Sequence, residues 1–110
     1  MTVGEAARQL GLEPYSVRCI NLGAELSGCY IGDVLSIAML RIRSGDAWIT
    51  VQKDINVPAV AYMTGAAMVI TADGAVLDAD AAARAAEKNI PVFRSEKSAY
   101  ELAVMLRDIL

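Results

Sequence analysis

The sequence predicts an α/β domain in which a small, mainly parallel sheet is covered by helices, and three observations predict it. Continuous apolar runs rich in β-branched residues, such as "AWITV" and "AAMVIT", alternate with segments of helical period. Gly, Pro, Asn or Asp punctuates the junctions, and from Trp48 onward the pattern is strand, helix, strand, helix, strand, helix. Strands that are apolar on both faces must be covered on both, which a parallel sheet with right-handed helical crossovers provides. At 110 residues the chain is expected to form one domain over 1–110, without repeats, low-complexity tracts or linkers.

The elements follow in order. Thr2 and Glu5 have the spacing of a capping box and Gly11 is a fitting stop, so a first helix lies between them, with Val3, Ala6, Ala7 and Leu10 as its apolar face. In "YSVRCINL", Tyr15, Val17 and Cys19 alternate with polar residues as in a half-buried strand, and residues 24–31 suit another short one. Asp33 is expected to cap the apolar helix 33–42, whose apolar residues occupy nearly every side. "SGD" turns the chain into the strand "AWITV", where Trp48 belongs to a core or an interface. Asn56 is the expected cap of "NVPAVAYMTG", with Pro58 tolerated in the first turn and Gly65 as terminator. "AAMVIT" is a strand, and "DADAAARAAEKN" is a helix capped by Asp78 or Asp80 and stopped at Asn89. After the strand "PVFRS", Ser98 and Glu101 form a second capping box ahead of a stripe of Tyr100, Leu102, Ala103, Leu106 and Ile109 or Leu110.

Composition excludes several functions. The chain is 55% hydrophobic, yet its longest apolar stretch is shorter than the ~20 residues a membrane span needs. The excess apolar surface points to self-association, for which helix 33–42 is the candidate through Val34, Ile37, Ala38 and Met39. Net charge is −3 and the basic residues are scattered, so nucleic acid is not an expected partner. No signal-peptide pattern opens the chain, and Cys19 and Cys29 form no CxxC pair, which fits a cytoplasmic protein.

The chemistry is narrowed further by what is missing. There is no histidine, so no Ser-His-Asp or Cys-His system and no His-containing metal site can be assembled. Neither GxxxxGK[ST] nor GxGxxG occurs, and no metal or cofactor is expected. Polar residues instead gather after the strands, where open α/β sheets bind ligands: Gln52, Lys53, Asp54 and Asn56, then Thr71 and Asp73, then Arg94, Ser95, Lys97 and Ser98. Ordinary loop polarity and capping account for the same residues. Cys29, in the glycine-rich "ELSGCYIGD", reads as the more exposed of the two cysteines.

The order of these segments resembles the DRTGG domain family, which is similar to the N-terminal domain of HPr kinase/phosphorylase. "GEAARQLGL", "LGAELSGCYIGDVLS", "GDAWITVQKDINVPAVA", "AAMVIT" and "NIPVFRSEKSAYELA" carry the likeness and span nearly the whole chain. Where such domains tend to have Asp-Arg, this chain has Gly23 and Ala24; Ser27 replaces the Thr, Gly28 is kept and Cys29 replaces the second Gly. The retained Ser27-Gly28 turn is the part that backbone geometry demands.

The resemblance implies a non-catalytic regulatory or accessory module, homodimeric, that senses a small, phosphate-bearing ligand or binds a partner enzyme. The ligand contacts expected are Ser27, Gly28, Asp33, Gln52, Asn56, Ser95 and Ser98. The alternative is a small enzyme for phosphoryl or acyl transfer, with Asp33 or Asp54 at the strand ends as base.

Overall fold

Local signals set most helix ends in the computed structural model, which describes residues 1–15 and 21–110. α1 (Val3–Leu10) opens on the Thr2 capping box: the Thr2 hydroxyl accepts the Glu5 N–H at 3.2 Å, and the Glu5 carboxylate accepts the Thr2 N–H at 3.1 Å. Hydrogen bonds from the Thr2 N–H and then the Thr2 hydroxyl hold the Glu5 carboxyl below its ordinary value. Gly11 closes the helix in the left-handed region, at φ 65°, which costs a glycine little. Val3, Ala6, Ala7 and Leu10 are buried, as their spacing requires.

β1 (Glu13–Pro14), β2 (Gly28–Ile31), α2 (Leu35–Arg41), β3 (Asp46–Thr50), α3 (Asn56–Thr64), β4 (Met68–Thr71), α4 (Ala79–Glu87), β5 (Val92–Arg94) and α5 (Ala99–Ile109) follow. The sheet order is β1-β5-β4-β3-β2, with β2 to β5 parallel and β1 antiparallel to β5. The predicted mainly parallel sheet is thus present, with β1 and β2 at its edges.

Alternation along the strands builds two cores. Ala47, Ile49, Met68, Ile70 and Phe93 face α1 and α5, where Leu102 and Leu106 are fully buried. Each such leucine contributes roughly 1.5–3 kcal/mol relative to exposure. Trp48, Val69 and Val92 face the other layer, with Ala38 of α2, Val57 and Val60 of α3, and Ala81 and Ala85 of α4. Trp48 is core, and its indole N–H donates to the Gly32 carbonyl at 2.9 Å.

Several expectations need correction. α2 begins at Leu35 with Val34 at the cap position, and Asp33 does not cap it. Ile55, not Asn56, precedes α3, and no side chain caps that helix; Asp54 instead accepts the Asn56 N–H at 2.8 Å. Asp78 holds the cap position of α4 without a side-chain bond, while Asp80 accepts the N–H of Ala81. Cys29 lies within β2, opposite Ala47, not in a turn. Tyr100 is exposed and does not join the buried stripe of α5. The strand expected over "YSVRCINL" falls largely on residues 16–20, so Val17 and Cys19 lie outside the described residues. Gly65, at φ 76°, and Asn89, at φ 57°, stop α3 and α4 where the sequence placed the stops.

Candidate functional site

Parallel pairing sends the carboxyl ends of β2, β3, β4 and β5 to one edge of the sheet, and most expected ligand contacts lie there. Near β2 and β3 this edge is sealed by its own side chains. The Asp33 carboxylate accepts from the Thr50 hydroxyl and the Val51 N–H, both at 2.8 Å on Oδ1. Gln52 donates its side-chain amide to the Asp33 carbonyl at 2.7 Å, and its backbone N–H to the Thr50 hydroxyl at 3.1 Å. Asp33 and Gln52 are therefore brought together, but as a tie between the ends of two neighbouring strands. Asp54, the other candidate base, turns its carboxylate to the start of α3.

At β4 a second tie involves a residue the sequence reading did not single out. The Tyr15 hydroxyl lies 2.7 Å from Thr71 Oγ1, donates to the Ala75 carbonyl at 3.2 Å and accepts the Leu77 N–H at 2.9 Å. Having one proton, it can serve both oxygens only if Thr71 donates to it. Its isolated place in the sequence gave no signal of partners some 60 residues away.

Ser95 and Ser98 occupy the far end of the edge. Ser95 is buried; its hydroxyl accepts the Lys97 N–H at 3.1 Å and its carbonyl accepts from Gly74 at 2.9 Å. Ser98 caps α5, accepting the Glu101 N–H at 3.1 Å while the Glu101 carboxylate accepts the Ser98 N–H at 3.2 Å. That box engages the helix terminus and places a carboxylate beside it, which offsets its pull on an anion. Beside these residues lies an open cavity of about 380 Å³ lined by Gly11, Glu13, Arg94, Ser95, Glu96 and Lys97. A second cavity of about 380 Å³, on the other side of the Arg94–Glu13 ion pair, reaches Pro14, Tyr15 and Val76.

Ser27 and Gly28 are not part of this edge. They sit at the amino end of the sheet, where the Ser27 N–H donates to the Gly45 carbonyl at 2.9 Å. Gly28 leaves room for a carboxylate: a Cβ there would lie 2.6 Å from Asp46 Oδ1, while Asp46 Oδ2 accepts the Arg43 N–H at 2.8 Å. The turn in "ELSGCYIGD" is thus accounted for by packing. Next to it, Cys29 is exposed as a residue, yet its thiol is pushed up to about 11, first by desolvation and then by the Asp46 carboxylate. At neutral pH it is a thiol and a poor nucleophile.

Of the expected interface residues, Val34, Ile37 and Met39 are exposed, but Ala38 is fully buried against the core and cannot meet a partner. Leu40, which the sequence reading did not select, is the most exposed large apolar side chain of α2. Among the described residues no group of three or more His, Cys, Asp or Glu side chains could hold a metal, and no helix is long and apolar enough to cross a membrane.

The five-stranded, mostly parallel sheet with helices on both faces is a DRTGG-like α/β fold. The comparison that establishes it is with the CBS and DRTGG domains of the regulatory region of a Clostridium perfringens pyrophosphatase, a crystal structure in complex with the activator diadenosine tetraphosphate. The TM-score is 0.71 at 14% identity, over 96% of this chain and 45% of the other, so this chain spans less than half of that one. No protein-family model and no curated protein matches the sequence.

Proposed function

We propose that this protein is a non-catalytic regulatory or accessory module, homo-oligomeric, that senses a small phosphate-bearing ligand. The observation that carries the reading is the cavity at the β5–α5 end, which places Arg94 and Lys97 around Ser95, with Glu13 and Glu96 also in its lining, at the carboxyl edge of the parallel strands. The likeness to a regulatory region that binds an activator nucleotide supports it. Arg94 is held by Glu13 at 2.7 Å, but both side chains are substantially exposed. Such a pair contributes only about 0–1 kcal/mol, so a phosphate can displace it at little cost. Of the expected residues, Ser95 lines this cavity and remains the proposed contact, whereas Ser98 is engaged in its capping box. Asp33 and Asp54, the named bases of the acid-base alternative, each accept hydrogen bonds that hold strand and helix ends, which favours the binding reading over that alternative.

Isothermal titration with diadenosine tetraphosphate, and separately with ATP, tests the reading. Binding that weakens at least tenfold in Lys97→Ala and Arg94→Ala, and that falls with added salt, is the expected result. Absence of heat with both nucleotides, or unchanged affinity in the double variant, would overturn it.

A further inference from the structure

The two edges of the sheet are built differently. β1 is two residues long and carries Pro14, which has no N–H, and the charged Glu13 paired to Arg94. Short length, proline and charge are the usual devices that keep an edge from pairing. β2, the opposite edge, has four residues and none of these devices, and no described strand pairs with its outer side. The Gly32 N–H donates to the Ile49 carbonyl at 3.2 Å, so alternation turns the N–H and C=O groups of Cys29 and Ile31 outward.

The surface beside this open strand is apolar. Val34, at the cap of α2, and Ile37 and Leu40 follow each other at i, i+3 and i+6 and are 56%, 47% and 85% exposed, and on the other face of the same edge Ile31 of β2 is 46% exposed. Between Leu26 and Leu40 the only charged residue is Asp33, whose carboxylate is already tied to Thr50 and Val51. Apart from Asp33 the charged side chains lie outside this stretch, so two copies of this face meet with little like-charge repulsion.

We propose that a second copy of this chain docks here about a two-fold axis, with β2 antiparallel to its counterpart and the Val34, Ile37 and Leu40 stripe packed on the same stripe of its copy. A two-fold axis makes the interface self-complementary, as a patch of uniform apolar character requires. It also places both α2 helices on one side of the joined sheet. The apolar side chains offer on the order of 500 Å² per copy, so the pair reaches about 1,000 Å², the lower bound for a specific interface, before strand backbone is added. The inference rests on the homo-oligomeric part of the proposed function and gives that association its surface.

Sedimentation velocity at tens of micromolar, with nucleotide titration run separately, tests it on the full chain. The wild type is expected to be a dimer, and Leu40→Glu a monomer with an unchanged circular dichroism spectrum. Ile31→Pro, which removes an outward N–H and none directed at β3, should weaken the dimer as well. Tyr100→Glu, an equally exposed change on α5, should leave the dimer intact. A monomeric wild type would overturn both the seam and the homo-oligomeric reading, whatever the nucleotide result. A dimer that survives Leu40→Glu would overturn the seam alone, and one that survives Ile31→Pro would overturn the strand pairing.

Discussion

Asp33 stands just ahead of an apolar helix, a place where an acidic side chain ordinarily caps the first turn. Its carboxylate reaches across to β3 instead, because the Thr50 hydroxyl is almost wholly buried and needs a partner at the strand end. Seventeen residues separate the two, so nothing in the local sequence announces the contact. Replacing Asp33 by alanine leaves Thr50 and the Val51 N–H without their acceptor, which should cost about 1–3 kcal/mol. Asp33→Asn keeps an oxygen at that position and should lose less. Urea denaturation of the two variants checks this, and equal, negligible losses would mean the tie carries no stability.

Among the elements, signals closed within four residues were legible and those needing a distant partner were not. Thr2 with Glu5, and Ser98 with Glu101, are complete capping boxes in the sequence, and Gly11, Gly65 and Asn89 occupy left-handed stops. The two-residue β1 escaped notice because a proline-bearing pair has no period to read. The edge to which each expected contact belongs was also hidden. Ser27 precedes and Gly28 opens β2 while Asp33 follows it, which puts them at opposite ends of the sheet. At α3 the expected cap Asn56 is instead the first helical residue, and Asp54, two residues earlier, accepts its N–H in a local turn. Asp54→Ala should therefore destabilise by about 0.5–2 kcal/mol, and Asn56→Ala by much less. Thermal unfolding of both variants settles the assignment; a larger loss for Asn56→Ala would reverse it.

At the scale of the whole molecule, the N-terminal segment connects the two helical layers around the β1 edge. Leu10 and Leu12 pack with the α1–α5 core, whereas Tyr15 packs with the core beneath α2, α3 and α4. The Tyr15 hydroxyl fixes this passage by joining Thr71 at the end of β4 to Ala75 and Leu77 ahead of α4. Thr71 is fully buried, and among the described residues its hydroxyl makes only one other bond, to the Phe93 carbonyl, which is long at 3.5 Å. Tyr15→Phe keeps the ring and its packing but leaves the Leu77 N–H unpaired and Thr71 poorly satisfied. The expected cost is about 1–3 kcal/mol, a fall in Tm of several degrees for a domain of this size. The loss should also have an address: amide exchange at Leu77 should accelerate more than at Trp48 or Ile70 in the core strands. If Tm falls while Leu77 keeps its protection, the hydroxyl acts elsewhere. If neither changes, the passage between the layers is held by the ring's apolar packing alone.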